Sequence, residues 1–345
     1  MHCHLLIPGF TPTIVPGANL VKNLRLPALE ALLARAGRSE LQPGGMAAWL
    51  CREFAVDKKL DWPVAPLTLL AQGGEPGSDF WLLAAPVHLQ LQRDRMVLAD
   101  AAHLDITADE AAGLTAALNL HFAEDGLTFL PTRPDSWHVR LAAPAELETH
   151  ALESVVGRNI RRFLPHGADG LRWHRILNEI QMLLHSHPVN RQREQRGALP
   201  VNSIWPWGGG TLPMAVSSPY RQVWANDALT RGLALAADAP LAATPETAGG
   251  WLQTAAPGVH LVVVDALQGA ARSGDLAGWS EILARLETDW FEPLRQALAL
   301  GRIDRLSLHV PGDAGTWTFS VCRADLWKFW RGRKPLKTFV GELSA

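Results

Sequence analysis

Short apolar runs and stretches of helical period alternate along most of this chain. Residues 5–7 are apolar and closed by Pro8 and Gly9, which predicts an opening strand. Leu29, Leu32 and Leu33 fall at helical spacing within 27–36, where Gly37 supplies a stop, and a second helix is predicted over 46–54. Residues 73–78 read Gly-Gly-Glu-Pro-Gly-Ser, a loop by composition. Strands are then predicted over 80–83, 87–91 and 96–98. Thr107 and Glu110 form a capping box that opens a helix carrying Ala111, Leu114 and Leu118 on one face. Two more strands follow at 127–130 and 137–141.

Beyond Pro144 the helical period returns, predicting helices over 147–156 and 171–185. A strand over 201–205 runs into Gly208, Gly209 and Gly210, and a helix over 224–236 follows. Residues 260–264 are apolar almost throughout and end on Asp265, as a parallel strand covered on both faces would. A long amphipathic helix over 279–300, strands over 305–310 and 316–321, and a short helix over 324–330 complete the pattern. Strand–helix alternation in the second half predicts a mostly parallel α/β sheet. The strands around one helix at 78–143 predict a small inserted α+β domain. The larger domain is then made of residues 1–76 and 145–345.

Composition narrows the function classes. The 345 residues are 48% hydrophobic and 19% charged with net charge −2, an ordinary globular balance without the basic footprint of a nucleic-acid binder. No run reaches the roughly 18 apolar residues of a membrane span, and residues 1–9 do not read as a secretory signal. A cytoplasmic protein with neither nucleic-acid nor membrane partner is expected. Cys3, Cys51 and Cys322 are too scattered for a disulfide framework or a thiolate zinc site. Fourteen tryptophans against one tyrosine point to aromatic core anchors rather than to a function.

Several polar groups are candidates for chemistry. His2 and His4 share a strand face, whereas His185 and His187 diverge at a helix end; among thirteen histidines either pair can arise by chance. Asp265 at a strand end can serve as a ligand, a helix cap or a remnant of one. Residues 187–210 form a polar, basic connection into a strand ending on three glycines. Glycines admit close backbone approach, and guanidinium groups and amides suit phosphate or carboxylate oxygens. The same residues can equally form a structural turn, with Arg193 and Arg196 on a solvated face and Trp205 and Trp207 in the core. Neither a Gly-x-Ser-x-Gly elbow nor a P-loop is present.

The spacing Asn190-x-x-Arg193-x-x-x-Gly197, then Pro200-x-Asn202, then an apolar strand ending in Gly208-x-Gly210, resembles the archaeal-type cofactor-independent phosphoglycerate mutases of the alkaline-phosphatase superfamily. The capping-box segment at 104–110 and Asn226-Asp227-Ala-Leu-Thr-Arg231-Gly232 fit the same family. Ile204-Trp205-Pro206-Trp207-Gly208 is similar to the bacterial RpfE-type regulatory proteins, a divergent branch. The resemblance covers residues 80–270 best. It implies a three-layer α/β/α core of the alkaline-phosphatase type with the inserted α+β domain.

Active members of that superfamily use two metal ions held by Asp and His, with a Ser or Thr nucleophile. Here Pro8 stands where the first Asp is expected, Asp265 and Gly269 keep an Asp and a Gly of the family's Asp-x-x-Gly-His segment but no His, and His309 and Asp313 have the right types in the wrong order and spacing. The resemblance therefore implies a mutase-like protein that has lost its metals and binds a phosphorylated small molecule or a protein partner, without a cofactor. The alternative is an active mutase or phosphomonoesterase with two manganese or zinc ions on relocated ligands. Anion binding is expected at Asn190, Arg193, Asn202, Gly208 and Gly210, with Asp265 nearby, in a concave pocket walled by Trp205 or Trp207.

Overall fold

The computed structural model describes residues 1–12, 24–92, 95–99, 104–312, 314–328, 330–332, 336 and 339. Asp313 lies outside them. The chain divides into two compact units, one of Met1–Val56 with Ala215–Ala345 and one of Asp57–Met214.

The first unit opens with strand β1 (His2–Leu6), helix α1 (Pro27–Arg35), the short strands β2 (Gly37–Arg38) and β3 (Gln42–Pro43), and helix α2 (Met46–Glu53). The second unit contributes α3 (Val64–Ala71), β4 (Phe80–Gln92), β5 (Arg95–Ala99), α4 (Ala108–His121), β6 (Leu127–Arg133), β7 (Ser136–Leu141), α5 (Gly170–His185), α6 (Pro188–Gln195) and β8 (Ser203–Gly210). The chain then returns to the first unit with β9 (Gln222–Trp224), α7 (Ala228–Ala236), β10 (Leu241–Ala242), α8 (Ala248–Thr254), β11 (Val259–Val263), α9 (Gln268–Ser273) and α10 (Leu276–Leu286). A π-helical turn (Glu287–Phe291), α11 (Glu292–Ala299), β12 (Arg305–Pro311) and β13 (Gly315–Cys322) complete it.

In the first unit the strands run β10-β9-β11-β1-β12-β13-β2, parallel from β10 to β12 and antiparallel beyond. Alternation along β1 sends Cys3 and Leu5 into a large core with α1, α8, α10 and α11. His2 and His4 face the opposite side, where Trp49 of α2 and Tyr220 pack. Helices on both faces give the expected three-layer α/β/α arrangement.

The segment expected as one helix over 279–300 is continuous but contains the π turn, at whose start Glu287 leaves the helix face. Its carboxylate accepts from the Ala28 N–H (2.5 Å) and the Leu29 N–H (3.1 Å), capping the first turn of α1. Leu26, at the N-cap of α1, has no oxygen to offer, so a remote side chain satisfies those donors.

The second unit is larger than the expected insert at 78–143. Strand β8 pairs antiparallel with β4, from Val87↔Ser203 to Trp81↔Gly210, and β4 also pairs with β7 and β5. That long-range ladder, together with α3 and α5, carries residues 57–77 and 144–214 into this unit rather than into the parallel-sheet core. The helix expected over 147–156 is only a 3₁₀ turn at Leu152–Ser154. Extended backbone is held there by Asp61, which accepts from the Thr149 N–H (3.0 Å) and its hydroxyl, and by a bridge between Glu148 and His166.

Candidate functional site

In parallel α/β sheets ligands sit beyond the carboxyl ends of the strands. In the first unit that edge is formed by the ends of β9, β11, β1 and β12. After β1 the chain turns through Pro8 and Gly9. A Cβ on Gly9 would meet Gln268 Cα at 2.7 Å, and its φ is +78°, so only glycine fits where the backbone closes against α9. Trp279 Nε1 donates to the Gly9 carbonyl at 2.9 Å. The place of a first carboxylate is taken by tightly packed main chain.

Among the described residues two carboxylates stand at this edge, Asp227 after β9 and Asp265 after β11. Asp227 caps α7, its Oδ1 accepting from the Thr230 N–H at 2.8 Å. Its Oδ2 and the wholly buried Thr230 hydroxyl oxygen have no hydrogen-bond partner. Burial raises the Asp227 carboxyl above its ordinary value, and the charge of Asp265 adds to the rise despite the bond from the Thr230 N–H. Burial likewise raises Asp265. Asp227 stands inside the Asn226–Gly232 motif without a sequence mark of its own; its position as an N-cap directly after a strand is the signal that could have singled it out.

His309 lies within β12 rather than at its end. Its Nε2 is 3.0 Å from His4 Nδ1, its Nδ1 is 2.9 Å from the Thr318 hydroxyl, and the Trp49 ring lies over it at 4.3 Å. The His2 ring is 4.1 Å from that of His4, and its Nε2 meets the Ser307 hydroxyl at 3.0 Å, which in turn meets Ser320 at 2.9 Å. Burial holds His2 and His4 down to about 4, with the Arg305 charge contributing to both, and holds His309 well below its usual value. These imidazoles are neutral members of an internal network, and His309 has no ring nitrogen left for a metal at the strand end.

A two-metal centre needs several carboxylates and imidazoles converging on two ions. Asp227 and Asp265 bring no imidazole, and among the described residues no group of three or more His, Cys, Asp and Glu side chains can hold a metal ion. The residues present do not fit that centre.

The expected anion-binding segment lies in the second unit and has internal duties. Asn190 is buried; its Nδ2 donates to the carbonyls of Leu184 and Val201 (both 2.8 Å) and its Oδ1 accepts from the Val201 N–H at 2.9 Å. Asn202 makes the same two-way pairing with the backbone of Leu89, at 2.7 and 2.9 Å. Arg193 is wholly buried and donates to Leu199 O (2.9 Å), Glu110 Oε2 (2.6 Å) and Leu104 O. Arg196 takes the other oxygen of Glu110 at 2.6 Å. Burial would raise the Glu110 carboxyl, but the Thr107 N–H and the two guanidinium groups bring it below its ordinary value.

The glycines follow the same pattern. A Cβ on Gly208 would meet Val64 at 2.8 Å and one on Gly210 would meet Pro63 at 2.7 Å, so their bareness admits the start of α3 rather than a ligand. The Gly208 N–H donates to the Thr149 hydroxyl at 3.1 Å. Because β8 is antiparallel to β4, its glycine end is not the carboxyl edge of a parallel sheet, and the rule that suggested a ligand there does not apply. The polar atoms of Asn190, Arg193 and Asn202 are spent on the fold, and Asp265 belongs to the other unit. Trp205 is buried and donates to the His150 carbonyl at 2.8 Å, at the wall of a cavity near the start of β8.

The fold recurs in a solved protein from Pyrococcus horikoshii, PH0037, at a TM-score of 0.56 with 11% identity, covering 93% of this chain and 87% of that one. In sequence the chain is related to proteins named 2,3-bisphosphoglycerate-independent phosphoglycerate mutase. The one from Methanosarcina barkeri is 30% identical over 122 residues, 34% of this chain and 30% of its own length. A probable mutase of the same name from Geobacter sulfurreducens is 28% identical over 215 residues, 58% of this chain and 53% of its own. The chain thus spans about a third to a half of the length of these relatives. No family model matches it. No described helix is long and apolar enough to cross a membrane.

Proposed function

We propose that this chain is a phosphoglycerate-mutase-like protein without two-metal catalysis, acting as a regulatory binder of a phosphorylated small molecule or a protein partner. The observation that carries this reading is the carboxyl edge of the parallel sheet. Main chain at Pro8 and Gly9 fills the first ligand position, Asp227 and Asp265 are the carboxylates left among the described residues, and His309 is committed to His4 and Thr318. The Trp205-Pro206-Trp207 stretch supports placing it beside the RpfE-type regulatory proteins.

The test is metal analysis and assay of chain purified with manganese and with zinc. Less than one equivalent of tightly held metal, and no interconversion of 3- and 2-phosphoglycerate or hydrolysis of p-nitrophenyl phosphate above background, is expected. Two equivalents with turnover of either substrate would overturn the reading in favour of an active metal-dependent mutase or phosphomonoesterase.

A further inference from the structure

The second unit contains a cavity of about 290 Å³ that Ser203, Ile204 and Trp205 of the motif segment help to line but that none of the expected anion ligands reaches. Its floor is the start of β8, where Ser203 and Trp205 sit, and its apolar sides include Leu89, Met96 and Leu177. The volume is at the lower end of the range of about 300–1,000 Å³ usual for small-molecule sites. One ring, or a short branched chain, fills it.

Polar groups gather on one side of this apolar space. Helix α5 brings His174 and Gln181, and the 3₁₀ turn at Ile160–Arg162 brings Arg161. His174 Nε2 is 2.8 Å from the Pro165 carbonyl, which can only accept, so this nitrogen donates to it. Arg161 has no carboxylate partner among the described residues. An unpaired guanidinium at the rim of an apolar cavity complements an anionic head on an apolar body.

We propose that this cavity binds a small amphipathic anion, its apolar body against Trp205, Leu89 and Leu177 and its head at Arg161. The site lies wholly within the second unit, so it stands or falls independently of metal loss at the parallel sheet.

Isothermal titration calorimetry on the full chain tests it with three probes of one size: 3-phenylpropionate, phenyl phosphate and the uncharged 3-phenylpropanol. At least one of the two anions should bind, and the alcohol roughly tenfold more weakly or not at all, as loss of a charge-assisted hydrogen bond implies. The carboxylate and phosphate arms identify the head group. Arg161→Ala should weaken the anion by a similar factor and leave the alcohol unchanged. Asn178→Trp places a large ring in the mouth from an exposed position of α5 and should abolish binding. Both substitutions are at exposed positions, and circular dichroism checks that the variants are folded. Absence of binding by every probe at millimolar concentration, equal binding of alcohol and anions, or binding unaffected by Asn178→Trp would each overturn the proposal.

Discussion

The two units handle their polar side chains in opposite ways. In the second, Asn190, Asn202, Arg193 and Glu110 form closed sets of bonds in which side-chain donors and acceptors meet backbone groups that the strands and helices leave over. In the first, Asp227 Oδ2 and the Thr230 hydroxyl are buried without partners, and three imidazoles crowd one sheet face in neutral form. The first unit gathers such groups at its parallel sheet. The second also buries Asp61 and His138 against their charge and leaves Gln72 Oε1, His150 Nδ1 and Trp173 Nε1 unmet, but it closes its motif residues into bonded sets. Closed sets rigidify a fold, whereas an unmet buried group marks a place where a ligand or proton can act.

The contrast can be broken most forcefully at Arg193. Arg193→Ala leaves Glu110 with Arg196 and the Thr107 N–H, removes the partner of two carbonyls, and should destabilise the second unit by about 3 kcal/mol in chemical denaturation, the lower end of the cost of removing one partner of a buried ion pair. A variant of native stability that loses affinity for 3-phosphoglycerate would make the segment a binding site and erase the distinction.

Acid sharpens it next. An imidazole with a depressed native pKa takes up its proton less readily folded than unfolded. Its contribution is therefore complete above the ordinary value of 6.5 and is lost as pH falls from there toward 4. His2 and His4 face the Arg305 charge, and Tyr220, which packs on His4, donates its hydroxyl to Glu53, so that carboxylate is already engaged. Hydrogen exchange between pH 6.5 and 4 should show the first unit losing protection earlier than the second. Among the described residues that second unit has His138 lowered to about 4 and His187 lowered, both by burial. Simultaneous loss in both would remove the histidine face as the cause.

The smallest effect is expected at Asp227. Asp227→Asn keeps a cap for the Thr230 N–H and removes a charge that burial and Asp265 disfavour. Thermal unfolding at neutral pH should show a gain of about 1 kcal/mol, the scale of one buried polar adjustment. A loss would mean that the ionised carboxylate is compensated by a cation.

Much of the scaffold was legible locally. Thr107 and Glu110 do form a reciprocal capping box, at 3.0 and 3.3 Å, and the apolar spacing of 171–185 corresponds to α5. What escaped depends on partners far along the chain. No local signal says that Ser203–Gly210 pairs with Phe80–Gln92, and that pairing moves the unit boundaries and turns the glycine motif into a packing device. The helical spacing of 147–156 was overridden by Asp61, some ninety residues earlier. The histidine face is assembled from residues near both ends of the chain, and the cavity at Trp205 from four separate segments. The residues of the best motif were visible, and the fold gives Asn190, Arg193 and Asn202 internal bonds that no local pattern announces.

The π turn at Glu287–Phe291 resets the phase of a long helix. Each residue of an α-helix advances the side chains by about 100°, so one extra residue within a turn rotates everything after it by that amount without breaking the rod. Trp279, Leu283 and Leu286 before the turn and Leu294, Ala297 and Leu298 after it all reach the same core. The wider turn brings both Trp290 and Phe291 onto that core while Glu287 reaches α1. The bulge thus lets one helix serve two masters, lining the sheet along its whole length while lending an anion to the start of another helix.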